Sequence, residues 1–120
     1  MVQWLAMEES GYRVLKATEF TDWLNQQPAR TRVQVSKRIS KIEEHGHFGD
    51  HKSVSFYEKG MLKDAVWELR WNDGKRVYYS YFPEKKILLL LGGNKNGQDK
   101  TVSQAKNIYI ESTKVVQKKR

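Results

Sequence analysis

The stretch from Asp64 to Leu91 constrains the fold more than any other, and it opens on side chains that alternate with a period of two. Ala65, Trp67, Leu69 and Trp71 alternate with Asp64, Val66, Glu68 and Arg70, the pattern of a strand with one buried face. Asn72-Asp73-Gly74 makes a tight turn, and Arg76 to Phe82 forms the next strand. Pro83-Glu84-Lys85 turns the chain again into Lys86 to Leu91, a strand apolar on both faces and therefore expected inside the sheet, with Gly92-Gly93 ending it. Three strands joined by short turns make an antiparallel meander.

The register of the first hairpin decides which side chains meet. A two-residue Asp73-Gly74 turn pairs Arg70 with Val77 and Glu68 with Tyr79. A three-residue loop, with Gly74 left-handed in a bulge, pairs Arg70 with Arg76 and Glu68 with Tyr78. The three-residue loop separates the faces better, with Trp67, Leu69 and Val77 on one side and Glu68, Arg70, Arg76 and Tyr78 on the other. A slip of one residue mixes apolar and charged groups on both faces. Two arginines directly opposite repel each other, and such a pair suits an anion because guanidinium forks match phosphate geometry. A solvated Arg–Glu lattice fits the same spacing at least as well.

Helices flank the meander. Residues 1–11 read as an irregular leader, and Tyr12 to Lys16 as a short first strand. Thr18 can cap a helix starting at Glu19, with Phe20, Trp23 and Leu24 on one face, and Pro28 interrupts it. A longer helix from Thr31 to Glu44 buries Val35, Ile39 and Ile42 and leaves Arg32, Lys37, Arg38 and Lys41 on its outer surface. Gly46 and Gly49 frame the turn after it. Thr101-Val102-Ser103-Gln104 has the shape of a capping box and opens a last helix through about Val116, while 114–120 reads as a basic tail. The order is that of one α+β domain over residues 12–113: two N-terminal helices packed on a mainly antiparallel sheet of four to five strands, plus a C-terminal helix.

Composition narrows the function classes. The 120 residues include no cysteine, so disulfides and thiolate metal sites are excluded. No apolar run reaches membrane-spanning length and no signal peptide opens the chain, so a cytoplasmic location is expected. Lys and Arg number 22 against 14 Asp and Glu, a net charge of +8. That balance suits a polyanionic partner (nucleic acid, ribosome, anionic membrane or acidic protein) or simply a basic domain. A membrane surface is the poorest fit, because no segment joins a basic face to a broad apolar one. His45, His47 and His51 cluster around a glycine turn, but no matching carboxylate or thiol set accompanies them, so no metal or other cofactor is expected. One of them could act as a general base. Gly92-Gly93-Asn94-Lys95 permits close backbone approach but lacks the spacing of a phosphate-binding P-loop.

An ordered set of short motifs adds a further reading. Phe20-x-x-Trp23-Leu24, Arg38-x-x-x-Ile42, Phe48-Gly49-Asp50-x-Lys52, Glu68-Leu69-Arg70, Arg76-Val77-Tyr78-Tyr79, Leu90-Leu91-Gly92-Gly93-x-Lys95-x-x-Gln98-Asp99 and Ala105-Lys106 together resemble the phage-derived HigB-like branch of the RelE toxin superfamily, over about residues 12–111. Two departures stand out: Tyr57 to Asp64 is longer and more charged than the family's short glycine-rich link, and Lys75 stands where the family often has an aromatic.

The resemblance implies the toxin of a type II toxin–antitoxin system, a metal-independent endoribonuclease that cuts mRNA on the ribosome. In that chemistry the RNA 2′-hydroxyl attacks the adjacent phosphate, leaving a cyclic phosphate and a 5′-hydroxyl. Matched by motif, Arg70, Arg76 and Lys95 are the expected cations, with Glu68, His51 and Tyr78 as candidates for acid and base, and Lys52, Lys75 and Gln98 as RNA contacts. The implied partners are mRNA, the ribosome and a cognate antitoxin, commonly a helix-turn-helix protein. A RelE-fold module that only binds RNA or antitoxin is the alternative. A basic DNA-binding regulator fits less well, because no recognition helix stands out.

Overall fold

The computed structural model of the chain describes residues 11–54 and 64–118. Strand β1 (Arg13–Lys16) leads into helices α1 (Thr18–Asn25) and α2 (Ala29–His45). Strands β2 (His51–Ser53), β3 (Trp67–Arg70), β4 (Lys75–Phe82) and β5 (Lys86–Asn94) follow, then a single 3₁₀ turn over Lys95–Gly97 and helix α3 (Gln98–Lys118). The sheet runs β1-β5-β4-β3-β2, with β1 parallel to β5 and every other pair antiparallel. This is the expected α+β architecture. The leader lies almost wholly outside the described residues, as does most of the Tyr57–Asp64 departure.

Both faces of the sheet are covered. On one, Phe20 of α1 and Val35, Ile39 and Ile42 of α2 pack against Leu69, Val77, Tyr79, Ile87 and Leu89. On the other, Ala105 of α3 packs with Tyr78, Leu88 and Leu90, joined by Val102, Ile108 and Tyr109. Strand β5 feeds both layers, which is why its sequence is apolar on successive residues, and it lies between β1 and β4 as expected. It also runs on through both glycines to Asn94 rather than stopping at Gly92. A Cβ on Gly92 would come 2.3 Å from the Trp23 ring. Glycine there lets an indole lie directly on the strand.

Helix boundaries differ from the sequence expectation at several places. Thr18 is the first helical residue of α1 rather than its cap; Ala17 precedes it and offers no capping side chain. Helix α2 starts at Ala29, directly behind Pro28, whose φ of −58° is preset by its ring. Helix α3 begins at Gln98, ahead of the Thr101-x-x-Gln104 motif, and Thr101 Oγ1 instead donates to Gly97 O at 3.0 Å. Asn94 caps the preceding turn by accepting from Asn96 N. The helix continues to Lys118, into the segment expected as a tail. Gly46 closes α2 in the left-handed region at φ 70°.

Candidate functional site

The β3–β4 hairpin takes the three-residue loop. Arg70 pairs with Arg76, Leu69 with Val77, Glu68 with Tyr78 and Trp67 with Tyr79. Gly74 sits at φ 98°, its N–H donating to Trp71 O at 3.0 Å, while Trp71 N–H donates to Lys75 O at 3.1 Å. Burial selects this register, since Leu69 and Val77 are both fully buried against α1 and α2. Fully burying such side chains is worth about 1.5–3 kcal/mol each.

The opposite face, towards α3, carries the charged groups. Glu68 is the centre of the cluster, with its side chain only 1% exposed. Gln98, the first residue of α3, donates Nε2–H to Glu68 Oε2 at 2.9 Å. Arg76 Nε lies 3.8 Å from the same oxygen, and Arg70 Nη1 lies 4.0 Å from Oε1. Lys52 pairs directly with Glu68 across β2–β3, so it stands on this face too, exposed at its edge. Burial pushes the Glu68 carboxyl above the ordinary glutamate range, against the pull of Arg76, Lys52, Arg70 and the Gln98 hydrogen bond. The Tyr78 phenol is pushed up to about 12, first by burial and then by the Glu68 charge, so it is neutral at physiological pH.

Two polar atoms in this cluster are buried without a hydrogen bond. Arg76 anchors Nη1 on Lys75 O at 2.9 Å and Trp71 O at 3.3 Å, yet its Nε has no hydrogen bond. The Tyr78 hydroxyl has none either. Buried polar atoms without a hydrogen bond are uncommon in a finished core, and a catalytic role is one of the explanations for them. A cation pair, a buried carboxylate and a neutral phenol on one face form a set that can hold a phosphate and move protons.

The other sequence candidates lie elsewhere. Lys95 follows β5 at the hairpin tip; its stem runs over Gly74, where a Cβ would come 3.3 Å from Lys95 Cγ. Lys75 points to the α2 side, its Nζ donating to Gln34 Oε1 at 2.8 Å and to Asp73 Oδ2 at 2.7 Å. His51 pairs with Leu69 and so faces the helix side, its ring 5.4 Å from Phe48 and 5.6 Å from Trp67. Thus Glu68, Arg70, Arg76, Tyr78, Gln98 and Lys52 come together, Lys95 stands at the tip, and Lys75 and His51 are on the far face. Among the described residues no group of three or more His, Cys, Asp or Glu is arranged to hold a metal ion.

Two residues that the sequence reading did not single out complete the surroundings. Asp50 takes Arg70 in a forked pair, with Nη2 at 3.0 Å from Oδ1 and Nε at 3.2 and 3.3 Å from the two oxygens. Arg38, expected on the outer surface of α2, instead turns inward over the Trp71 ring at 4.2 Å and donates to Phe48 O and Arg70 O. Both residues were visible within motifs, Arg38 ahead of Ile42 and Asp50 between Gly49 and Lys52.

Residues 22–114, which include every one of these side chains, match the family model described as phage derived protein Gp49-like (DUF891). The chain belongs to the Gp49-like family. An uncharacterized protein of Haemophilus influenzae is 36% identical over 95 residues, covering 77% of this chain and 87% of that protein. Among solved structures, a chain of the toxin–antitoxin complex RelBE2 from Mycobacterium tuberculosis superposes with a TM-score of 0.56 at 16% identity, covering 71% of this chain and 92% of that one. This Gp49-like chain therefore shares the fold of that RelBE2 chain, the α+β fold that the motif resemblance implied. No helix among its described residues is long and apolar enough to cross a membrane.

Proposed function

We propose that this Gp49-like chain is the toxin of a type II toxin–antitoxin pair and cuts mRNA on the ribosome without a metal. The observation that carries the proposal is the Glu68 carboxylate, buried between Arg76 and Arg70 on a basic chain, beside the unpartnered Tyr78 hydroxyl. In this reading Glu68 accepts the proton of the RNA 2′-hydroxyl as its oxygen bonds to the adjacent phosphorus. The bond to the 5′-oxygen breaks, and the neutral Tyr78 phenol supplies a proton to that leaving oxygen. The products are a 2′,3′-cyclic phosphate and a 5′-hydroxyl. Arg70 and Arg76 offset the charge gathering on the phosphorane, with Lys95 reaching in from the tip. Lys52 and Gln98 contact the RNA at the rim, and Gln98 must give up Glu68 for the 2′-hydroxyl to reach it. Lys75 and His51 have no part in these steps, since both face away. The partners are mRNA, the ribosome and an antitoxin of helix-turn-helix type, met in the cytoplasm.

A second reading has a specific observation behind it. Glu68 is already paired and only 1% exposed, as a structural counter-ion for two arginines would be, and the chain would then only bind RNA or antitoxin. Cleavage separates the readings. RNA cleavage is expected to survive EDTA, with ribosome integrity controlled for in parallel. Cleavage that is lost and returns only with added metal contradicts the mechanism, and no cleavage under any condition supports the binding module.

A further inference from the structure

Asp50 and Arg70 are 20 residues apart in sequence and joined through both side chain and backbone. The guanidinium fork described above makes the side-chain contacts, and Arg70 N–H donates to Asp50 O at 2.9 Å. Arg38 then ties the two segments together by donating to Phe48 O at 3.1 Å and to Arg70 O at 3.0 Å. The loop is built closely around that arginine: Gly49 is left-handed at φ 70°, and a Cβ on it would lie 3.2 Å from Arg38 Cζ. The Asp50 side chain is 54% exposed and that of Arg70 32%. Ion pairs so open to water add little to stability, so a clamp this elaborate needs another reason.

The fork supplies one. Asp50 occupies Nε and Nη2 of Arg70, and the remaining Nη1 faces Glu68 at 4.0 Å. Asp50, Arg70, Glu68 and Arg76 thus alternate in sign along one line, which lets two arginines stand directly opposite each other. Without Asp50, nothing among the described side chains holds Arg70 back from closing a direct fork on Glu68. That fork would silence the carboxylate and withdraw the cation from the phosphate position in a single movement.

The geometry points to Asp50 as a positioning residue for RNA cleavage, one that orients Arg70 toward the scissile phosphate and keeps it off Glu68. The inference rests on the endoribonuclease reading and deepens it. It also predicts that Asp50 acts only through Arg70, and a double-mutant cycle reads that directly.

Single-turnover mRNA cleavage on programmed ribosomes is measured for the wild type, Asp50→Ala, Asp50→Asn, Arg70→Ala and Asp50→Ala/Arg70→Ala, with thermal unfolding of each. Misplacing a reacting group by an ångström costs about 10²-fold, so Asp50→Ala is expected to lose about 10–100-fold in maximal rate with little change in half-saturating ribosome concentration. Asp50→Asn, which keeps one acceptor oxygen, falls between it and the wild type. The double variant is no slower than Arg70→Ala alone, and the melting temperatures stay close together. Multiplicative losses in the double variant, or a loss in Asp50→Ala that follows its unfolding, overturn the positioning role while leaving the endoribonuclease reading in place. A wild-type chain that cuts no mRNA overturns both.

Discussion

Arg76→Ala is expected to abolish growth arrest on induction of the protein and to slow mRNA cleavage by about 10²–10³-fold, the usual cost of losing one preorganised donor at a developing oxyanion. The residue lies on β4 with its side chain 13% exposed and directed to Glu68, off the Leu69–Val77 layer, so its loss opens no cavity in that core. The substitution is not silent for stability. It removes a cation near a buried carboxylate and two bonds to backbone carbonyls, a loss of about 1–3 kcal/mol. Glu68 keeps Gln98 and Arg70, so the fold is expected to persist. Expression level and melting temperature are read beside toxicity. Full arrest by a well-expressed Arg76→Ala variant removes this residue from the site.

Glu68→Gln has the next largest expected effect, because it keeps the shape of the side chain while removing its capacity to take a proton. General-base catalysis contributes about 10²–10⁴-fold, and cleavage should fall by that order. The same variant carries a pH signature in stability. Burial raises the native Glu68 carboxyl above its ordinary value of 4.5, so the native state binds the proton more tightly than the unfolded chain does. The stability this contributes is fully present below 4.5 and is lost as pH rises through the raised native value. Glutamine has no such dependence. The melting temperature of Glu68→Gln relative to the wild type should therefore climb as pH rises through that window. A difference that stays flat, or moves the other way, contradicts the burial of an ionisable carboxyl there.

How much of this was legible in the sequence depends on how far each feature reaches along the chain. The hairpin register was legible because only one loop length keeps Leu69 and Val77 together and Arg70 and Arg76 together. The stripe of α2 and the doubly buried β5 follow from their periodicities in the same way. The side of Lys75 was implicit as well: in the three-residue register it precedes Arg76, so alternation sends it to the other face. The side of His51 was not, because β2 is three residues long and only its pairing with β3 fixes its orientation.

Arg38 was misplaced because it stands at the edge of the α2 stripe, where a helical wheel leaves either direction open. The Trp71 ring and the carbonyl of Arg70, 32 residues away, decide it. Asp50 was hidden for the same reason, as its forked partner is 20 residues on. The start of α3 was missed because a local capping pattern at Thr101 competes with the Asn94 cap and the 3₁₀ turn, and the earlier signal wins. That choice matters for the site, since it brings Gln98 onto Glu68.

The central claim is that this chain breaks RNA by 2′-hydroxyl attack, and the chemistry of the cut ends tests it most directly. Messenger RNA is recovered from cells expressing the wild type or Arg76→Ala at matched levels, and the ends of the fragments are mapped and characterised. The account predicts cuts within coding sequences in the wild-type cells only, with 5′-hydroxyl and 2′,3′-cyclic phosphate termini. Intact mRNA during wild-type growth arrest, or fragments ending in 5′-phosphate, would contradict it.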